Sequence, residues 1–294
     1  MSHIAICCQG GGSHTAFTGG ALGPLLTHAR KIARRVTVTG TSGGALCAAV
    51  ATTAADPERA LKRLWDDVKA ASPSDAWLNF MTTSAAYLLP LLSPYVNPLQ
   101  PARTLRHLIE KHIRGTPQGC LIGTCNVLSG EFTVFCDEEI GIDQLMASCT
   151  MPYIFPATEI DGDYFWDGIF SQNPPVADLF GLDEKPDELW VIRIDPKTRA
   201  KVPISANDID DRSKELAYAN ALEHELKSIE RINRWLAAGV NLPGYQPVTI
   251  RQITLDLDLD NGSKLDRRPA LIDDLFARGH EAAQSFITHL NSQE

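Results

Sequence analysis

Basic charge is scarce in this 294-residue chain: 27 Lys and Arg stand against 36 Asp and Glu, for a formal net charge of −9. A phosphate backbone is held by clustered cations, and here the cations are scattered, so no nucleic-acid partner is expected. The most basic stretch, RKIARR at 30–35, reads as a solvated helix end ahead of a buried strand. Paired cysteines are also missing. Cys7, Cys8, Cys47, Cys120, Cys125, Cys136 and Cys149 include no C-x-x-C and sit mostly among apolar neighbours, as buried reduced thiols do. Neither H-E-x-x-H nor a Cys/His cluster offers zinc ligands. DLDLDNG (256–262) fails as a calcium loop, because counting from Asp256 puts Asn261 where glycine is needed and Arg267 where glutamate is needed. No metal or cofactor is therefore expected.

Long apolar runs are lacking as well. The greasiest stretch, WLNFMTTSAAYLLPLLSPYVNPL (77–99), is broken by Pro90, Pro94 and Pro98 and falls short of the roughly 20 mostly apolar residues of a membrane span. Its Trp77, Phe80, Met81, Tyr87, Leu88, Leu91, Leu92 and Tyr95 would suit either an acyl-chain groove or flap, or plain core helices. MSHIAICCQGG has no basic leader and only a short apolar run, so no cleaved export signal is expected, and with the reduced thiols this points to the cytoplasm. No repeat, low-complexity tract or clear linker divides the chain. With 44% hydrophobic and 21% charged residues, the composition is that of a globular protein with a sizeable core.

Strand and helix patterns alternate along it. HIAICC (3–8) precedes a helix from about Ala16 to Ala29, and RVTVTG (35–40) precedes one from about Gly44 to Ala55, the order of parallel βαβ units. Helices with a cap or proline at the start follow at 56–71 and 101–113. CLIGTCNVLSGEFTVFC (120–136) reads as two strands around SGE, and ELWVIRID (188–195) as a further buried strand. Leu216, Leu222, Leu226, Ile229 and Leu236 recur at helical spacing within 213–239. An alternating strand at 248–260 and a helix at 269–290 close the chain. The expected fold is an α/β sandwich around a mostly parallel sheet.

GTSGG (40–44) matches G-x-S-x-G between a predicted strand and a predicted helix, the setting of a strained turn that presents a serine nucleophile at a helix N-terminus. The three glycines of QGGGSHTAF follow a neighbouring strand. A phosphate cradle there would need the lysine of G-x-x-x-x-G-K-[ST], which is absent, so the bare backbone suits an oxyanion hole. A serine also needs a base. Asp167, in WDGIFSQNPP, lies between aromatic residues and a glycine in what reads as a loop, while Asp161 repeats the Asp-Gly pair in an ordinary turn. His224, His280 and His289 follow Asp167 in the order of a Ser-acid-His triad, but each falls within a predicted helix among polar neighbours.

QGGGSHTAF, GTSGG, ASCTMPYIFP and WDGIFSQNP occur here in the order in which bacterial patatin-like phospholipases carry an oxyanion loop, an elbow, an AS…P..FP block and a DG[GAI] segment. The chain resembles that family. The resemblance implies a three-layer α/β sandwich with a catalytic region at 1–200 and a C-terminal extension at 201–294 packed on the same domain. It also implies a Ser–Asp dyad without histidine: Ser42 as nucleophile, Asp167 rather than Asp161 as base, and Gly10, Gly11, Gly12 and Gly43 around the oxyanion. The implied activity is that of a serine lipid acyl hydrolase, a phospholipase A or lysophospholipase-like esterase, with a lipid ester as substrate and contact with a membrane or micelle surface. An acyltransferase or thioesterase would use the same dyad, and a catalytically silent lipid-binding module would keep only the fold. Ser13, His14 and Thr15 stand where the family often has Gly-x-Arg-Gly or Gly-x-Leu-Gly, which alters the loop and brings a titratable ring near the site.

Overall fold

A computed structural model describes residues 2–84, 93–96, 101–195, 198–199, 201–257, 259 and 262–292. Residues 85–92 and 97–99 of the apolar segment 77–99 therefore lie outside the described residues; within it, helix Pro73–Ser84 covers the start, and Trp77 and Tyr95 are exposed.

The central strand is β1 (His3–Cys8), buried along its whole length. It pairs in parallel with β2 (Arg35–Thr41) on one side and, on the other, with Glu188–Ile192 of a later strand. Numbered in chain order, the remaining strands are β3 (Cys120–Asn126), β4 (Phe132–Cys136), β5 (Thr158–Ile160), β6 (Asp163–Asp167), β7 (Glu188–Arg193) and β8 (Thr249–Thr254). The sheet runs β5-β6-β3-β2-β1-β7-β8, with β4 on the other edge of β3. β3, β2, β1, β7 and β8 are mutually parallel, and β4, β5 and β6 make the antiparallel additions. Mostly parallel strands flanked by helices are the expected architecture.

Period-two alternation in β1 builds two cores. Ile4, Ile6 and Cys8 face a cluster with α1 (Ala16–Ile32), α2 (Gly43–Thr53), α3 (Pro57–Val68) and α8 (Pro269–Asn291). Ala5 and Cys7 face the other way, toward Leu222, Leu226 and Ile229 of α7 (Ala206–Ala237). Both faces of the parallel sheet are thus covered, as its unbroken apolar strands require. The α3 start is the one its sequence announces: Pro57 follows Asp56, whose carboxylate accepts from Arg59 N at 3.0 Å.

Four local readings change. The long helix starts at Ala206, with the Ser205 hydroxyl accepting from Asp208 N, ahead of the expected Ser213. β8 stops at Thr254, where its pairing with Arg193 ends, instead of running to 260. Ile142–Ser148 forms a helix, α6, that no periodicity announced. Asp167 is the last residue of a strand and not part of a loop. The seven cysteines are free thiols, six of them buried. Among the described residues no helix is long and apolar enough to cross a membrane.

Candidate active site

Parallel strands deliver their C-terminal ends to one edge of the sheet, and the chain's chemistry collects there. Cys8 of β1 pairs with Gly40 of β2 and with Ile192 of β7, so the glycine loop, the Ser42 turn and the residues after β7 leave the sheet side by side.

Ser42 joins β2 to α2 with φ 57° and ψ −129°, a left-handed backbone that a non-glycine residue adopts only when its surroundings impose it. Ser148, the last residue of α6 (Ile142–Ser148), imposes it: its hydroxyl accepts from Ser42 N at 3.0 Å and donates to the Gly123 carbonyl of β3 at 2.8 Å. The turn is pinned from the loop after β6 as well. The hydroxyls of Thr41 and Thr39 donate to the carbonyls of Gln172 and Pro175, at 2.7 and 2.9 Å.

Strand geometry brings Asp167 to the serine. Thr124 of β3 lies between Thr133 of β4 and Asp167 of β6, and Leu121 between Cys136 of β4 and Thr39 of β2. β2 and β6 therefore occupy the same edge of β3, running in opposite directions and meeting end to end, with Thr41 opposite Gly123 and Asp167 opposite Thr124. The Asp167 carboxyl is fully buried. Its Oδ1 accepts from Ile169 N at 2.9 Å, while Oδ2 has no hydrogen-bond partner. Burial pushes its pKa up to about 7, against the opposing pull of the Ser42 hydroxyl, the Ile169 amide and the Lys264 ammonium. Phe165, two residues earlier and on the same face of β6, is buried, while Tyr164 on the opposite face is exposed. Asp161 is exposed at the other end of the strand, in the hairpin turn it forms with Gly162, both at positive φ.

The glycine loop rests on this turn. A Cβ on Gly10 would sit 2.5 Å from the Thr41 carbonyl oxygen and 2.9 Å from Ser42 Cβ, a space that only glycine fits. The Gly10 amide donates to Asn173 Oδ1 at 2.6 Å, and Asn173 Nδ2 donates back to the Gly10 carbonyl at 3.4 Å. Gly12 has φ +57°, and a Cβ there would lie 2.2 Å from the Lys264 carbonyl oxygen. Among the described residues, the N–H groups of Gly11 and Gly12 are taken up by no hydrogen bond, and Gly43 opens α2, where a first-turn amide has no helical acceptor.

His14 is buried beside the loop, its Nε2 2.7 Å from Ser263 Oγ. Burial first, and the Lys264 charge second, hold its pKa down at about 3, so the ring is neutral and ties the loop to Ser263. His280 lies on α8 against Glu58, at 3.2 Å, and His224 is exposed on α7. No histidine is among the groups acting on Asp167.

The structure adds neighbours of the candidate site that the sequence did not single out. Ser148 and Asn173 lay inside the quoted ASCTMPYIFP and WDGIFSQNP stretches, but their bonds to Ser42 and Gly10 span 106 and 163 residues. Gln9, whose Oε1 accepts from Ile194 N and Asp195 N, headed the quoted QGGGSHTAF stretch with no role read for it, and Lys264 carried no signal at all.

A family model described as patatin-like phospholipase matches residues 6–180. No curated protein matches the sequence. Among solved structures, VipD from Legionella pneumophila aligns with a TM-score of 0.48 at 13% identity, covering 98% of this chain and 67% of that one. Since the matched residues form more than half of the chain and take in the glycine loop, Ser42 and Asp167, the chain belongs to the patatin-like phospholipase family, which implies a lipid acyl hydrolase.

Proposed function

We propose that the chain is a serine esterase of lipid acyl esters, of the phospholipase A or lysophospholipase type, working through Ser42 and Asp167 alone. Ser42 Oγ attacks the ester carbonyl carbon while its proton passes to the Asp167 carboxylate, and the carbonyl becomes a tetrahedral oxyanion. Collapse expels the alcohol, which takes the proton from Asp167, and leaves an acyl-serine. Water then attacks the acyl carbon with Asp167 again accepting the proton, and the fatty acid and free Ser42 are released. Because the Gly10 amide is already donated to Asn173, we assign the oxyanion to the N–H groups of Gly11, Gly12 and Gly43 and give Gly10 the role of letting the loop lie against the Ser42 turn. We expect the fatty chains to rest against the exposed Trp77 and Tyr95.

One observation carries the reading. A carboxyl group is fully buried where the ends of β2 and β6 meet, with an unpartnered Oδ2 and with the Ser42 hydroxyl acting on it. An unpaired buried carboxylate oxygen is expensive, and a proton-accepting role gives it a use. A fluorophosphonate probe should label the native protein stoichiometrically at Ser42, and Ser42→Ala should lose both the label and p-nitrophenyl ester hydrolysis while unfolding at the native temperature. Hydrolysis undiminished by Ser42→Ala would sink the assignment.

A further inference from the structure

The site is completed by a residue from far along the chain. We infer that Lys264, on the short turn Gly262–Leu265, is a positioning residue of the Ser42–Asp167 site, where it holds a positive charge beside the Asp167 carboxylate through a buried ion pair with Asp195. The inference deepens the esterase reading above and rests on it.

Three contacts fix the lysine. Its Nζ lies 2.7 Å from Asp195 Oδ1, with the two side chains 11% and 1% exposed. Asp195 is itself held at the end of β7 by Gln9, the residue before the glycine loop, whose Oε1 accepts from Asp195 N at 3.1 Å. The ammonium also stands over the Tyr218 ring at 5.6 Å, and Tyr218 packs edge-on against Phe170, three residues beyond Asp167, at 5.9 Å between centroids. Finally, the Lys264 carbonyl occupies the space that a side chain on Gly12 would need, so the main chain of this turn roofs the glycine loop while its side chain pairs with Asp195.

A purely structural role accounts poorly for such a pair. Burying an ammonium and a carboxylate costs more than their attraction returns unless the remaining polar atoms are satisfied, and an apolar pair of similar volume would be as stable or more so. Here they are not satisfied: Lys264 Nζ makes no aligned hydrogen bond, and Asp195 Oδ2 and Gln9 Nε2 have no partner. Burial raises the Asp167 pKa, and the Lys264 charge, after the Ser42 hydroxyl and the Ile169 amide, works in the opposite direction and favours the ionised form. The other titratable groups facing this space are Tyr218 from α7, which feels Asp167, Asp195 and Asp210; Cys149 after α6, which feels Asp167; His14, kept neutral by burial and by Lys264 itself; and Asp266, which opposes them at His14. Lys264 is the cation acting on both Asp167 and His14.

The sign follows directly. Asp167 accepts a proton only when ionised, so activity rises with pH through its titration. Removing the cation moves that rise to higher pH, and leaving Asp195 without its counter-charge pushes the same way. Removing Asp195 instead leaves Lys264 unopposed and moves the rise to lower pH. The test is kcat/KM on a short soluble p-nitrophenyl ester from about pH 5 to 9 for the native protein, Lys264→Met, Lys264→Arg, Asp195→Asn and the double variant Lys264→Met/Asp195→Asn. Lys264→Met should shift the acid limb up by roughly half to one pH unit, the low end of what a nearby charge does. That is a loss of about three- to tenfold on the acid side and a smaller one on the alkaline plateau. Lys264→Arg should keep the native limb, Asp195→Asn should shift it down, and the double variant should fall between the single ones. An equal loss at every pH with an unmoved limb overturns the inference, and if Lys264→Met does not fold, a limb unmoved or raised in Asp195→Asn does so. A native protein that takes no fluorophosphonate label fails the parent reading, whereas a labelled native protein with a limb indifferent to both charges fails this one alone.

Discussion

Asp167 is placed where a carboxyl group costs the most and is worth the most to the proposed chemistry. An aspartate that is a strong enough base near neutral pH must have a raised pKa, and full burial raises this one to about 7 from an ordinary 3.8. The same burial weakens the fold. Because the folded state holds its proton up to about pH 7 and the unfolded chain gives it up near 3.8, the folded state binds more protons between these values, so stability falls as pH rises through the window and stays lowered above it. At one pH unit per 1.36 kcal/mol, the gap corresponds to at most about 4 kcal/mol, reduced by whatever relaxation the carboxylate finds. Asp167→Asn is therefore expected to lose on the order of 10³-fold or more in kcat/KM, as for removal of a catalytic group, and yet to melt higher than the native protein at about pH 8. The difference should shrink as the pH is lowered toward 4. His224→Gln and His280→Gln should keep most activity, since neither ring acts on Asp167. A histidine variant as damaged as Asp167→Asn would make that histidine the base, and an Asp167→Asn protein less stable at alkaline than at acid pH relative to native would show that the carboxyl is not buried as drawn.

Two strand ends and one short helix make the site, and the helix is the part easiest to break. Ser148 joins the strained Ser42 backbone to β3 through a single hydroxyl, so Ser148→Ala leaves the Ser42 amide and the Gly123 carbonyl buried without that partner. Each group so stranded costs roughly 1–3 kcal/mol. The variant should unfold several degrees lower, and its kcat should fall well beyond its KM change, because the turn relaxes from φ 57° and Ser42, the proposed nucleophile, drifts from Asp167. Thermal melting together with steady-state kinetics on a soluble ester checks both, and a Ser148→Ala protein with native kcat would remove α6 from the site. Neither α6 nor the β5–β6 hairpin was legible beforehand. Seven residues are two helical turns, too few for a 3.6-residue period to declare itself, and β5 has only three residues on which to alternate. The Asp161-Gly162 turn was legible because its chemistry is local, whereas the strand that places Asp167 was visible only through pairing with β3.

At the scale of the whole molecule, what could be read from the chain is what adjacent residues decide. The apolar strands β1, β2 and β7, the glycine loop and the Ser42 turn each follow from local pattern, and so does the mostly parallel sheet. Gly10 against Asn173, Lys264 over Gly12 and Asp195 against Gln9 are pairings across 163 residues or more, and no local pattern encodes them. The packing of α8 on α1 belongs to this second kind. Glycines in α1 look like helix weaknesses in isolation, but a Cβ on Gly20 would lie 1.9 Å from the Phe276 carbonyl oxygen, and one on Gly279 of α8 would lie 1.9 Å from that of Phe17. The two helices touch backbone to backbone at both glycines, and that approach seats Ile272 and Leu275 in the core with Phe286 edge-on against the buried Trp190 at 5.1 Å between centroids. Backbone cannot turn aside as a side chain does, so Gly20→Ala and Gly279→Ala should each cost about 1–3 kcal/mol as overpacking does, despite alanine's better helix propensity. At roughly 2–4 °C per kcal/mol for a protein approaching this size, each should melt about 2–12 °C lower. Gly181→Ala, with nothing within 4 Å of the added methyl, should be neutral within about 0.5 kcal/mol. The double variant Gly20→Ala/Gly279→Ala is the discriminating measurement. Once one methyl has levered α8 away from α1, the second enters space already opened, so the pair should cost less than the sum of the single changes. Additive losses would mean that the helices give way independently at the two crossings, and an unchanged melting temperature in either single variant would mean that they do not meet there.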